Sequence, residues 1–528
     1  MKWLPKLRFS MRTLFIIVTL MGLVLVPLIV KLYQVRQQRL AVEWFRANDH
    51  DVVYDYQVGE DGWRVQGAPT DNVGLRDTLG TDFVDEVVEV HITDPTVTDI
   101  SKLSQLQSLE HVVLKDPQNA DLSKLGSLKK LDSLSISFSS KKSFTAKNIA
   151  DLSKLACPIA IRISGPLIDD LTPIQQLNNV YVLGIYAPNV TDLSPLIHIK
   201  SIQRLFISGT SVKDISPLSY LTSLKHLGLH DIQNIDISPL SDLTQLRYLF
   251  LDDPNITDLT PLAKLINLQE LRLDTSKVID LSPLKNLAKL QALRIEGPDV
   301  TDLTPLANLL NLRYLTLAPL NAKDLSPLAN LTNLKGLRIE GPNVMDLTPL
   351  AKFINLLALT LDTPVAKELA PLENLVNIER LCLVCPNVTD ITVLAKLIKL
   401  RILSFDTLNA NNLSSIENLA NLEELWIYSS NVTDLTPLAK LTNLRELEIN
   451  AVMVKDFSPL LQLSNLDELS IFDMKYQKIE INKIKNALPN CKVKPYKSSG
   501  FNRMFRLSMN GPFLNRWPQQ SISYALVV

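Results

Sequence analysis

Apolar residues recur along this chain with a fixed period of 22. From Leu259, forward steps of 22 reach Leu281, Leu303, Leu325, Leu347, Leu369, Ile391, Leu413, Leu435 and Phe457. Backward steps reach Ile237, Ile215, Leu193, Leu171 and Ile149, and two further copies open at Leu122 and Ile100 beyond a break of 27, making seventeen units. The positions twelve and fourteen residues after each opening residue are apolar in all seventeen, as at Leu271 and Leu273, Leu293 and Ile295, or Leu425 and Ile427. A separation of two predicts a strand with alternate side chains buried. Earlier in the unit an Asp, a Ser or Thr and a Pro stand together, as in Asp302-Leu303-Thr304-Pro305, with Pro in twelve of the seventeen copies. A Ser or Thr N-cap followed by Pro predicts a helix start, because the hydroxyl accepts an orphan N–H and Pro has none to leave unpaired.

Each unit is therefore one strand, a turn and one short helical turn. Twenty-two residues are too few for two packed helices and match the length of leucine-rich repeats. A lone unit cannot bury its apolar edge, whereas stacked units share a continuous core. The expected fold class is an α/β repeat solenoid with parallel strands on a concave face, preceded by one transmembrane helix.

That helix is read from Thr13 to Val30, eighteen residues without a charge, which as a helix span ~27 Å, close to a bilayer's hydrocarbon thickness. The run passes through Pro27 into Lys31, Tyr33 and Arg36 without an Ala-x-Ala site, which favours an uncleaved anchor over a signal peptide. A small excess of basic residues before the span places the N-terminus in the cytoplasm and the repeats outside it. The expected organisation is a short basic segment (1–12), the anchor (13–30), a stalk (31–49), an N-terminal cap (50–99), the solenoid (100–478), a C-terminal cap (479–497) and a basic disordered tail (498–528). Within the N-terminal cap, Val52 to Gln57 reads as a strand, Leu75 to Phe83 as a helix and Val87 to His91 as an edge strand. Within the C-terminal cap, Ile479 to Leu488 reads as a helix, and the segment ALPNCKV as a terminating strand.

Charge refines this picture. Residues 1–46 carry eight basic residues against Glu43, and residues 481–528 carry eight with no acid. With 54 basic and 55 acidic residues in all, the middle keeps 38 basic and 54 acidic, a net of -16. An acidic body is a poor match to phosphate backbones, so no nucleic-acid partner is expected and a basic protein is.

The pattern L-x-x-L-x-L followed by V-T-D-L-T-P-L-A-x-L resembles the internalin-type leucine-rich repeats of bacteria, over about residues 100 to 478. One departure stands out. Where that family commonly has an Asn just after the strand, this chain has Pro254, Pro298, Pro342, Pro364 or Pro386, often with Asn one residue later (Asn255, Asn343, Asn387). The ladder after the strand must then be satisfied in another way.

No Walker loop, Gly-x-Ser-x-Gly elbow, His-Glu-x-x-His or EF-hand spacing occurs, so no enzyme activity and no cofactor or metal are expected. His226 and His230 are about 13 Å apart on a strand and make no metal clamp by themselves. Cys382 and Cys385 flank the buried Leu383 as repeat variation. Candidate ligand-binding residues are those pointing outward from the strands, free of core packing. Phe206, His226, His230, Tyr248 and Phe250 form one aromatic patch; Glu424, Trp426, Tyr428, Glu446 and Glu448 form an acidic aromatic one, with Trp426 facing water as the anchor. Between them Arg272, Asp274, Arg294, Glu296, Arg338 and Glu340 read as lateral ion pairs between adjacent strands. The function expected is a membrane-anchored, non-catalytic recognition or adhesion scaffold for a protein or, less readily, a cell-wall glycan. The competing class is a structural spacer of the cell envelope.

Overall fold

In a computed structural model the described residues are 11–58, 73–97, 99–118, 120–275, 277–297, 300–407, 412–450, 452–471 and 478–495. The basic tail, most of the N-terminal basic segment and Pro298 lie outside them. The chain divides into two compact units, one within residues 1–202 and one within 203–524.

The first unit opens with helix α1 (Met11–Ala47), which contains Pro27. Its large apolar side chains between Val18 and Val30 are exposed, and α1 is long and apolar enough to cross a bilayer. Its second half is no free stalk, which corrects the reading of residues 31–49. Ala41, Val42 and Phe45 are buried, Gln38 donates to the carbonyl of Asp85 at 2.9 Å, and Lys31 pairs with Glu86 at 3.3 Å. The end of α1 is thus part of the cap.

Strand β1 (Asp51–Tyr54) runs antiparallel to β2 (Val87–Ile92), after short helices α2 (Val73–Leu79) and α3 (Thr81–Val84). Strand β2 also pairs in parallel with β3 (His111–Lys115), so β1 lies outside it and β2 is an inner strand, not the edge that its sequence suggested. Strands β4 (Ser133–Phe138), β5 (Ile159–Ser164) and β6 (Val180–Tyr186) follow in parallel. The 27-residue spacing accommodates helix α4 (Ala146–Leu152), capped by the Thr145 side chain.

The second unit stacks β7 (Arg204–Ser208), β8 (His226–His230), β9 (Tyr248–Asp252), β10 (Glu270–Asp274), β11 (Ala292–Glu296), β12 (Tyr314–Leu317), β13 (Gly336–Glu340), β14 (Ala358–Asp362), β15 (Arg380–Val384), β16 (Ile402–Asp406), β17 (Glu424–Ile427), β18 (Glu446–Ile449) and β19 (Glu468–Ile471). All pair in parallel with their sequence neighbours, in a register that matches residues one period apart, such as Leu249, Leu271 and Leu293. Helix α5 (Lys478–Ala487) and strand β20 (Lys492–Pro495) close the unit, β20 pairing with β19.

The helical turns are 3-10, not α. In the repeat opening at Leu259, the N–H groups of Leu262, Leu265 and Leu268 donate to the carbonyls of Leu259, Leu262 and Leu265 at 2.9–3.0 Å. Three residues per turn align leucines spaced by three on one face, and all four are buried. Each contributes ~2 kcal/mol through burial.

The cap of the turn also differs from the N-cap the sequence suggested. Asp258 Oδ1 accepts from the backbone N–H of Thr260 at 2.8 Å, and the Thr260 hydroxyl donates to the same carboxylate. The carboxylate two residues upstream, not the hydroxyl, satisfies the orphan donor. The motif repeats at Asp302, Asp346 and Asp434, and these hydrogen bonds hold the carboxyls below their usual range.

Two asparagine and backbone ladders link the repeats. Just before the strands, Asn311, Asn333, Asn355 and Asn377 each donate Nδ2 to a carbonyl of the preceding repeat at 2.8–3.1 Å. Just after them, backbone N–H groups take the place of the missing Asn: Thr275 donates to Glu296 O, Thr363 to Val384 O and Cys385 to Asp406 O at 2.9–3.0 Å. At Gly297 a Cβ would fall 2.3 Å from the carbonyl oxygen of Thr275, so only Gly admits this close approach.

Candidate binding face

In-register stacking sets three outward rows along the strands of the second unit. The middle row contains Phe206, Gly228, Phe250, Arg272, Arg294, Thr316, Arg338, Thr360, Cys382, Ser404, Trp426, Glu448 and Ser470. Parallel strands lie ~4.8 Å apart, so a bulky side chain in this row is covered by its neighbours on both sides. The consequence corrects the sequence reading. Trp426 does not face water: it is 4 % exposed, and Glu448 is 1 % exposed. Phe206, His226 and Phe250 are buried as well. Among the ten candidates, His230, Tyr248, Glu424, Tyr428 and Glu446 retain partial exposure.

The aromatic patch is a stacked layer. The His226 ring lies on Tyr248 with centroids 4.3 Å apart, and His230 stacks on Phe250 at 6.4 Å. Arg272 sits 4.8 Å over the Phe250 ring. Gly228 makes room for this layer, since a Cβ there would meet Phe206 at 3.0 Å and His230 at 3.2 Å. Burial, then the charges of Arg204, Arg247 and Lys225, lower the pKa of His226 to about 3, so the ring is neutral near pH 7.

In the second patch Trp426 Nε1 donates to Glu446 Oε1 at 3.4 Å. Glu424, Glu446 and Glu468 occupy one register position on β17, β18 and β19. Burial, followed by repulsion from Glu446, raises the Glu424 pKa. Lys494 on β20 pairs with Glu468 at 2.7 Å.

The charged residues between the patches pair mostly within strands, which corrects the lateral pairing expected of them. Arg272 meets Glu270 on its own strand at 2.8 Å, and Arg294 and Arg338 likewise bond Glu296 and Glu340. Arg294 to Asp274, at 3.6 Å, crosses strands. In-strand partners two residues apart share one face, and the arginine folds along it.

The last outward position of the strands supplies a feature that residue-by-residue reading missed. Asp252, Asp274, Glu296, Glu340, Asp362 and Asp406 line the post-strand edge, all half-buried. Burial raises the pKa of Asp252, Glu296, Asp362 and Asp406, helped by neighbouring carboxylates at the first three. Its signal lay in the 22-residue recurrence of acids at that offset. Among the described residues no group of His, Cys, Asp or Glu is arranged to hold a metal ion. Cys382 and Cys385 are free thiols, and burial pushes Cys382 up to about 12.

Parallel strands alternating with short 3-10 turns at a 22-residue spacing define a leucine-rich-repeat protein. Among solved structures, an internalin from Listeria monocytogenes is 33% identical, with 53% of this chain and 83% of that chain covered and a TM-score of 0.49. An internalin C2 of the same organism is 35% identical, covering 37% and 84%, with a TM-score of 0.32. A leucine-rich-repeat protein from Leptospira interrogans shares the fold at 19% identity and a TM-score of 0.55, covering 75% and 99%. The likeness to the Leptospira protein shows the leucine-rich-repeat fold, and the repeats are similar in sequence to those of the internalins. No protein-family model matches the chain, and no curated protein matches it.

Proposed function

We propose that the chain is a membrane-anchored, non-catalytic recognition scaffold whose second unit takes a basic protein segment along its strand face. The observation that carries this reading is the row of half-buried carboxylates from Asp252 to Asp406. Several have raised pKa values, so their ionised forms are held at a cost that a bound Lys or Arg would relieve. Tyr428, one period after Asp406, continues the row to an aromatic contact of the kind that anchors interfaces, and Glu424 and Glu446 add acid at the other end of the neighbouring strands. The net charge of the body is a weaker guide, because much of it resides in the Asp residues that cap the 3-10 turns.

The test is a displayed peptide library panned against the full chain in detergent micelles. Lys- and Arg-rich peptides should be enriched over Asp- and Glu-rich ones, and affinity should fall about tenfold or more in the double variant Asp362→Lys, Asp406→Lys. Binding indifferent to both changes and to salt would refute the face.

Anchoring rests on the composition and exposure of the first half of α1, which a signal sequence would share. Protease added to intact cells should digest the repeats while the protein stays with the membrane fraction. Recovery of the repeats in the medium would indicate cleavage, and full resistance would place them inside.

A further inference from the structure

The pre-strand flank of the second unit carries a second organised surface. Four residues before the first residue of their strands, Ile266, Leu310, Ile354, Val376 and Ile398 point into solvent, with exposures from 48 % to 57 %. Ala288 and Thr332 fill the positions between the first three. The backbone of this row is fixed by the asparagine ladder, since Asn333, Asn377 and Asn421 bond the carbonyls of Leu310, Ile354 and Ile398 at 2.9 Å. It is thus a rigid aliphatic ridge.

Cations run beside it. One residue before β9 and β12 stand Arg247 and Arg313, both exposed, with Lys225 and Lys335 at the equivalent positions of β8 and β13. Lys289 adds a fifth, its ammonium on Asn267 Oδ1 at 2.7 Å. The same position before β10 and β11 holds Gln269 and Gln291, so no acid interrupts this stretch; acids enter it from Glu379 onward.

The opposite, post-strand side has an excess of acid, although Lys213, Lys277, Lys323, Lys367 and Lys455 lie on it as well. It carries the carboxylate row and the capping Asp residues, whose hydrogen bonds keep them ionised. The second unit is therefore polarised from flank to flank.

We infer that the pre-strand flank docks on an anionic lipid surface, with the aliphatic ridge entering the headgroup region and the flanking Lys and Arg residues meeting lipid phosphates. Aliphatic tips beside basic side chains are the composition of interfacial membrane-binding elements. The anionic post-strand side would be repelled by the same lipid, which fixes the flank that faces it. The strand face remains open to its own ligand, so this inference stands or falls apart from the reading above.

The test places the photo-crosslinking residue benzoylphenylalanine at position 310 or 354 of the full chain. The protein is reconstituted into vesicles of phosphatidylcholine alone or mixed with phosphatidylglycerol. Position 345 serves as the control, because Met345 is more exposed than either and lies on the post-strand side. Lipid adducts should form at 310 and 354 but not at 345, and only with phosphatidylglycerol present. They should fall by about tenfold or more in the triple variant Arg247→Glu, Arg313→Glu, Lys335→Glu and again at high salt in the unaltered chain. Equal adducts at 345, adducts independent of lipid charge, or adducts to a second copy of the chain would each overturn the inference.

Discussion

Replacing Trp426 by alanine should lower the stability of the second unit by about 3 kcal/mol, because a large side chain that is almost fully buried is removed and the space cannot close. The indole lies in register between Ser404 and Glu448, so no neighbour of similar size can collapse into the gap. Water then reaches Glu448, and Glu446 loses the indole N–H. Denaturant unfolding followed by far-UV circular dichroism measures the loss. Tyr428→Ala is the contrast. Tyr428 is half-buried just past the end of β17, so its removal should cost under about 1 kcal/mol while weakening the basic ligand. A Trp426→Ala protein as stable as the parent would mean that the indole is not packed between strands.

The second large effect is on pH dependence. His226 has a folded-state pKa of about 3, below the ordinary value of 6.5. The unfolded chain therefore takes up a proton at pH values where the folded ring stays neutral. The stability associated with this residue is complete above pH 6.5 and declines as pH falls toward 3. After allowance for screening of a partly solvated ring, the loss is about 2 kcal/mol. His226→Phe keeps a ring against Tyr248 and cannot be protonated. Its stability should fall less between pH 7 and pH 4 than that of the unaltered chain, by about that amount. The strand-face carboxylates with raised pKa values act in the opposite sense, since protonation relieves the cost of their ionised forms. They are common to both proteins and cancel in the comparison. Parallel pH profiles would show that His226 is solvated in the folded chain.

How much of this was legible in the sequence depends on which neighbours decide each feature. The period of 22 names the strands, because the in/out alternation at Leu271 and Leu273 is local and its repetition is the register itself. The 3-10 turns were also written there, in leucines spaced by three at 259, 262, 265 and 268. The short helical turn was read, but its 3-10 type was not, because Thr-Pro is equally a start signal for an α-helix. The capping role of Asp258 was hidden in the same way, since a hydroxyl and a carboxylate can each accept the orphan N–H and only geometry separates them. The burial of Trp426 was not legible from its own strand at all. Outward position on one strand says nothing of cover from the residues 22 before and after it. The same lateral view reveals the carboxylate row at Asp362 and Asp406 and the aliphatic ridge at Ile354, both of which are properties of stacked rows.

The most direct test of the strand-face account is to map where a selected basic peptide touches the full chain. With benzoylphenylalanine at position 428, in place of Tyr428, the peptide should be captured in high yield, and Asp362→Lys with Asp406→Lys should lower capture about tenfold or more. Capture from position 354 on the pre-strand flank, with none from 428, would contradict the claim that the strand face is the recognition surface.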